Sequence, residues 1–195
     1  MIRQVMPIAC VLLFLGAVPA FAGSNISLHL DPPAQDVKLG DLAGVTVGIS
    51  GLGDLAAPSL GAYDLNLAFD PALLSFHSII FGDQLALAGP GGSITGVNPS
   101  TPGQVNVFEV SLVPTPVLNN TQTASFVLFT LTFDTLALGK SVLALSIINL
   151  ADAEGALLAG VDGRGSINVI PAPAALLLGV VGSGVVNRLR RRRVI

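Results

Sequence analysis

GAYDLNLAFDPALL, residues 61–74, carries the pattern that sets the fold class. Tyr63, Leu65, Leu67 and Phe69 alternate with Asp64, Asn66 and Ala68. A period of two puts every second side chain on the same face of a strand, so this run has one face for a core and one for water. Asp70-Pro71 ends it, because proline fixes φ and removes the amide donor that a continuing ladder requires. The same alternation recurs outward from this stretch. Ile26, Leu28 and Leu30 alternate with Ser27 and His29, and Val45, Val47 and Ile49 with Thr46, Gly48 and Ser50. Residues 124–133 and 141–150 are apolar on both faces and are expected as central strands, or as strands partly covered by loops. Residues 166–170 are the expected closing strand. Asp31-Pro32-Pro33, Gly89-Pro90-Gly91-Gly92 and Asp162-Gly163 supply turn chemistry between the runs, and no helical stripe of useful length lies among them. The pattern predicts an all-β domain over residues 23–170, an antiparallel β-sandwich.

Composition excludes several functions. Charged residues are 11% of the chain, against roughly 25% in ordinary soluble proteins. The twelve acids all lie between residues 31 and 162, and across residues 23–165 Lys38, Lys140 and Arg164 are the only basic residues. That region therefore carries a net charge of −9, which repels phosphate backbones and argues against nucleic acid as a partner. The single cysteine, Cys10, lies in the leading apolar run. A mature chain without that run has no thiol for a disulfide, a metal or nucleophilic catalysis.

The two ends read as addresses. Arg3, the uncharged apolar run 8–18 and Ala20-Phe21-Ala22 form the three parts of a secretory signal peptide over residues 1–22, with Ala20 and Ala22 at the cleavage site. Residues 171–195 form a second signal. Pro171-Ala172-Pro173 precedes the uncharged run 174–186, and Arg188, Arg190, Arg191, Arg192 and Arg193 follow. Each arginine costs about 2.5–3.5 kcal/mol at the centre of a membrane helix, so the five are expected to stay cytoplasmic while the domain faces outward. The 13 residues 174–186 make a helix of about 20 Å, short for a hydrocarbon core of about 30 Å. The tail is thus expected to be a sorting signal that also spans as a transmembrane helix.

Pro-x-Pro, a short apolar helix and a terminal arginine cluster resemble the PEP-CTERM sorting tail. The resemblance implies an exosortase-type sorting peptidase as partner, acting near Pro171, Ala172 and Pro173. Ala172 stands where that family usually has Glu, and the tail looks closer to variants reading Val-Pro-x-Pro-Ala. The domain resembles cohesin, the jelly-roll sandwich that binds dockerins. The resemblance rests on the order of Lys38-Leu39-Gly40-Asp41 before Val45-Thr46-Val47, Gly61 to Leu65 leading to Phe69-Asp70-Pro71, Gly82, the run 126–133 before Leu138-Gly139-Lys140, and Asp162-Gly163 before Ile167-Asn168-Val169. It implies a non-catalytic module binding a surface protein or extracellular polysaccharide, with a dockerin-binding scaffold as the alternative. The implied location is the cell surface or extracellular matrix after membrane tethering.

Candidate chemistry is sparse. His29 and His77 sit at polar positions of alternating runs, are expected to face solvent, and have no Ser-Asp or metal-ligand pattern beside them. Glu109 and Glu154 are the only glutamates, the pair a glycoside-active enzyme would need. The alternation shifts phase near Phe108, so Glu109 is expected at the surface beside a bulge. Asp152 and Glu154, with Asp31, Asp36 or Asp41, offer calcium oxygens but no complete ligand loop. Gly48, Gly51 and Gly53 follow a strand, but no Lys-Ser/Thr pair and no helix come after them, so there is no nucleotide loop. The expectation is a protein that is not an enzyme and holds neither cofactor nor metal.

Overall fold

The computed structural model describes residues 26–87, 89 and 91–172. The expected signal peptide with Ala20 and Ala22 lies outside the described residues, as do Pro173 and the arginines Arg188, Arg190, Arg191, Arg192 and Arg193. The strands are β1 (Ile26–Asp31), β2 (Ala34–Lys38), β3 (Leu42–Ser50), β4 (Leu60–Ala68), β5 (Leu74–Phe81), β6 (Ser93–Asn98) and β7 (Gln104–Ser111). A helix, α1 (Thr115–Thr121), separates these from β8 (Ser125–Thr135), β9 (Gly139–Asp152), β10 (Gly160–Val161) and β11 (Arg164–Ile170). They form a five-stranded sheet ordered β10-β1-β3-β8-β5 and a six-stranded sheet ordered β2-β11-β9-β4-β7-β6.

The expected alternation builds the core. Leu28, Val45, Val47 and Ile49 from one sheet meet Tyr63, Leu65 and Leu67 from the other, all buried in one cluster. The Tyr63 and Phe129 rings stack across it at 5.8 Å, and Phe69 meets Phe133 edge-on at 5.1 Å. Aromatic pairs in such geometries add about 0.5–1.5 kcal/mol beyond the area they bury. The runs read as central strands are interior: β8 lies between β3 and β5, and β9 between β11 and β4. Their apolar outer positions have local causes. The register between β4 and β9 slips at Asp64/Leu65, and Ile148 stands out in solvent opposite the slip.

Two features depart from the expected all-antiparallel, helix-free sandwich. The Asp31-Pro32-Pro33 break divides the first strand between the sheets, and the closing segment divides in the same way. β1 then pairs with β10, and β2 with β11, both in parallel. Parallel strands need a long crossover, and nearly the whole domain supplies it. The helix α1, TPVLNNT, is too short to show a stripe in sequence, and Leu118 is its buried residue. It is held from outside: Ser59 Oγ donates to Asn119 Oδ1 at 2.6 Å. Just beyond it, the buried Gln122 side chain accepts from Leu60 N at 2.7 Å and donates to the carbonyls of Leu60 at 2.9 Å and Gln84 at 3.0 Å.

Candidate functional site

β7 decides what the six-stranded sheet presents to solvent. Val105, Val107 and Glu109 all point inward, and Phe108 and Val110 point outward. The ladders to β4 and β6 run through this segment in unbroken register, Tyr63 and Thr95 both opposing Glu109. The expected phase shift near Phe108 is therefore absent, and Glu109 is not at the surface. It is 1% exposed, in the sandwich interior. Its side chain can be there because both oxygens are satisfied: Tyr63 Oη donates to Oε2 at 2.9 Å and Ser93 Oγ donates to Oε1 at 2.7 Å. Burial raises the Glu109 pKa, and these two hydrogen bonds partly oppose that rise. The Tyr63 phenol is pushed up as well, first by burial and then by the charge of Glu109.

With Glu109 inward, the outer face of β7 becomes apolar. Phe108 is 37% exposed, Val110 40% and Leu112 58%, and Ile94 of β6 joins them at 54%. Gly96 pairs with Phe108, and a Cβ at Gly96 would run into the Phe108 ring. The ring therefore packs against the glycine of the edge strand. Beside it on β4, Asp64 and Asn66 give the face a polar centre. Asn106 Nδ2 donates to Asp64 Oδ1 at 2.6 Å and to the Leu65 carbonyl at 3.3 Å, while Asn66 Oδ1 has no partner among the described residues. β6, SITGVN, is the sheet edge and carries neither a charge nor a proline to block an approaching chain.

The opposite face, on the five-stranded sheet, is rich in hydroxyls. Ser27 and Ser50 pair at 2.9 Å, and Thr46 and Thr130 at 3.0 Å. His29 and His77 both stand exposed on this sheet, as expected. They lie on β1 and β5, with β3 and β8 between them. His29 covers Gly48, and His77 Nδ1 is 3.2 Å from Asp134 Oδ2 with both side chains 46% exposed.

The structure does not bring the remaining candidates together. Glu109 is sealed in the core, whereas Glu154 lies in the exposed turn after β9, so the two glutamates do not flank a cleft. Asp152 Oδ1 accepts the amides of Glu154 at 2.9 Å and Ala156 at 2.8 Å, which is turn chemistry. Among the described residues no three His, Cys, Asp or Glu side chains gather as metal ligands; Asp31, Asp36 and Asp41 stay dispersed along β1, β2 and the turn before β3. Pro171 and Ala172 follow β11 directly. The sequence reading missed the apolar face. Its signal was present in VNVFEVSL, residues 105–112, which holds two interleaved apolar sets.

No protein-family model matches the chain, and neither does any curated protein. Solved structures do. A cohesin from Clostridium acetobutylicum is 20% identical with a TM-score of 0.57, covering 75% of this chain and 92% of its own. The sixth cohesin of scaffoldin B from Acetivibrio cellulolyticus, solved with a Cel5 dockerin mutant, is 19% identical with a TM-score of 0.56, covering 76% of this chain and 99% of its own. A non-cellulosomal cohesin from the archaeon Archaeoglobus fulgidus is 18% identical with a TM-score of 0.55, covering 77% of this chain and 94% of its own. The described domain has the cohesin fold.

Proposed function

We propose that this chain is an exported, non-catalytic binding module that docks a protein partner on the outer face of β4, β7 and β6. One observation carries the reading: Ile94, Phe108, Val110 and Leu112 form an exposed apolar surface around the fixed Asp64–Asn106 pair. Interfaces draw their energy from a few such anchors at a desolvated centre. The Acetivibrio cellulolyticus relative was solved with a dockerin, so a dockerin-type module is the partner class to try first. Polysaccharide is less suited to this face. Phe108 is the only aromatic side chain among the exposed large apolar residues described, which leaves a single stacking platform for a sugar ring. The signal peptide takes the chain out of the cytoplasm, and the 171–195 tail holds it in the membrane for an exosortase-type peptidase.

The test is calorimetric binding to a panel of dockerin modules. Phe108→Asp should weaken binding at least tenfold, since a central anchor is worth about 2 kcal/mol or more. Val127→Asp, at an equally exposed position of the opposite sheet, should leave it unchanged. Loss of binding with Val127→Asp and not with Phe108→Asp would move the site to the other face and overturn the assignment.

A further inference from the structure

Four leucines crowd one end of the sandwich with their side chains in solvent. Leu39 is 40% exposed, Leu42 53%, Leu136 53% and Leu138 51%. They sit on two neighbouring turns, β2–β3 and β8–β9, which are locked together. The Thr135 hydroxyl accepts from Gly40 N at 2.8 Å and donates to the Asp41 carbonyl at 2.9 Å. The leucines are therefore presented on fixed turns. A cluster of this kind on a rigid end marks a contact surface.

The chain leaves the domain at this same end. Leu39 N donates to the Ile170 carbonyl, the last strand residue, at 2.9 Å, and Gly139, next to Leu138, pairs with Val169. Only residues 171–173 separate Ile170 from the uncharged run 174–186. Three extended residues span at most about 10 Å. If 174–186 enters a bilayer, the leucine-bearing end is held within that distance of the lipid. This end is also the less acidic of the two. Lys38 pairs with Ile170 and Lys140 with Asn168, so both lysines of the chain are here, together with Asp36, Asp41, Asp70 and Asp134. Among the described residues, the opposite end has Asp54, Asp83, Asp152 and Glu154 on its turns and no basic residue.

We propose that this end of the sandwich rests on the membrane surface, with Leu39, Leu136 and Leu138 inserted at the lipid interface and Lys38 and Lys140 against anionic headgroups. The proposal rests on the reading of residues 174–186 as a membrane segment. It orients the domain with β7 and β6 upright, so that the apolar face stays open to a partner while the chain is still tethered.

The mature chain, residues 23–195, which has no cysteine of its own, is reconstituted in vesicles of phosphatidylethanolamine and phosphatidylglycerol, with a polarity-sensitive fluorophore at Leu138→Cys or at Leu157→Cys. Leu157 is 79% exposed, on the turn region at the opposite end. Flotation with the vesicles reports the tail, and quenching by interfacial nitroxide lipid reports the domain. Chains that float should show a blue-shifted Leu138 label quenched severalfold more than the Leu157 label. Floating chains with both labels equally quenched, or both unquenched, overturn the proposal and leave the membrane tail standing. Leu138 labels that escape the lipid quencher but self-quench as protein density rises assign this end to a second copy, and overturn it too. Chains that do not float overturn the tail reading, and the proposal with it.

Discussion

Replacing Glu109 tests whether the buried carboxyl is what turns the apolar side of β7 outward. Glu109→Gln keeps both contacts, since the amide oxygen accepts from Tyr63 and the amide nitrogen donates to Ser93. Glu109→Leu keeps the bulk but removes both. Ser93 is half-buried and can turn to water, whereas Tyr63 is 2% exposed and its hydroxyl is orphaned. An unsatisfied buried donor costs about 1–3 kcal/mol, and 1 kcal/mol moves the midpoint of a domain this size by roughly 3 °C. Glu109→Leu should therefore melt about 3–10 °C below Glu109→Gln by the same estimate. Adding Tyr63→Phe should recover most of that difference. The pH dependence separates charge from shape. Burial raises the folded-state pKa of Glu109 above its unfolded value of about 4.3. Its contribution to stability is complete below the unfolded value and is lost as pH rises through the folded one. Glu109→Gln does not titrate, so its Tm should gain on the parent as pH rises across that window and level off above it. Calorimetry of residues 23–172 from about pH 4 upward follows this loss. A parent and Glu109→Gln that keep a constant Tm difference, or a Glu109→Leu variant as stable as Glu109→Gln, would refute the reasoning.

Two further outcomes are expected. Gln122→Ala leaves Leu60 N, Leu60 O and Gln84 O without the partner that now serves all three, and at about 1–3 kcal/mol for each sealed group the loss should approach the whole stability of a marginal domain. Urea titration should show the midpoint collapsing, and a shift under 1 M would show that water replaces the amide. In the native host, intact mass spectrometry should find mature chains truncated near Pro171–Pro173. A C-terminus at Ile195 in every mature molecule would leave the tail as an anchor only.

The sequence by itself determined the fold class and most strands, because period-two alternation and turn residues are local signals. Tyr63, Leu65 and Leu67 face the core as their spacing requires, and Asp70-Pro71 ends its strand where proline must. The histidines at polar positions proved to be exposed for the same reason. Only the tertiary structure decided which of two competing sets on β7 goes inside. Val105-Asn106-Val107-Phe108-Glu109-Val110 offers an apolar side chain to both faces, and hydrophobicity alone favours hiding Phe108 over Glu109. The deciding partners are Tyr63, 46 residues away, and Ser93 on the edge strand. Their hydroxyls make a buried carboxyl tolerable, and no local pattern around residue 109 encodes them. The same holds for the parallel closures of β1 with β10 and of β2 with β11, which join the two ends of the domain. It holds also for the leucines of the two turns: each is an unremarkable loop residue in sequence, and they become one surface only when Thr135 ties the turns together beside the exit of the chain.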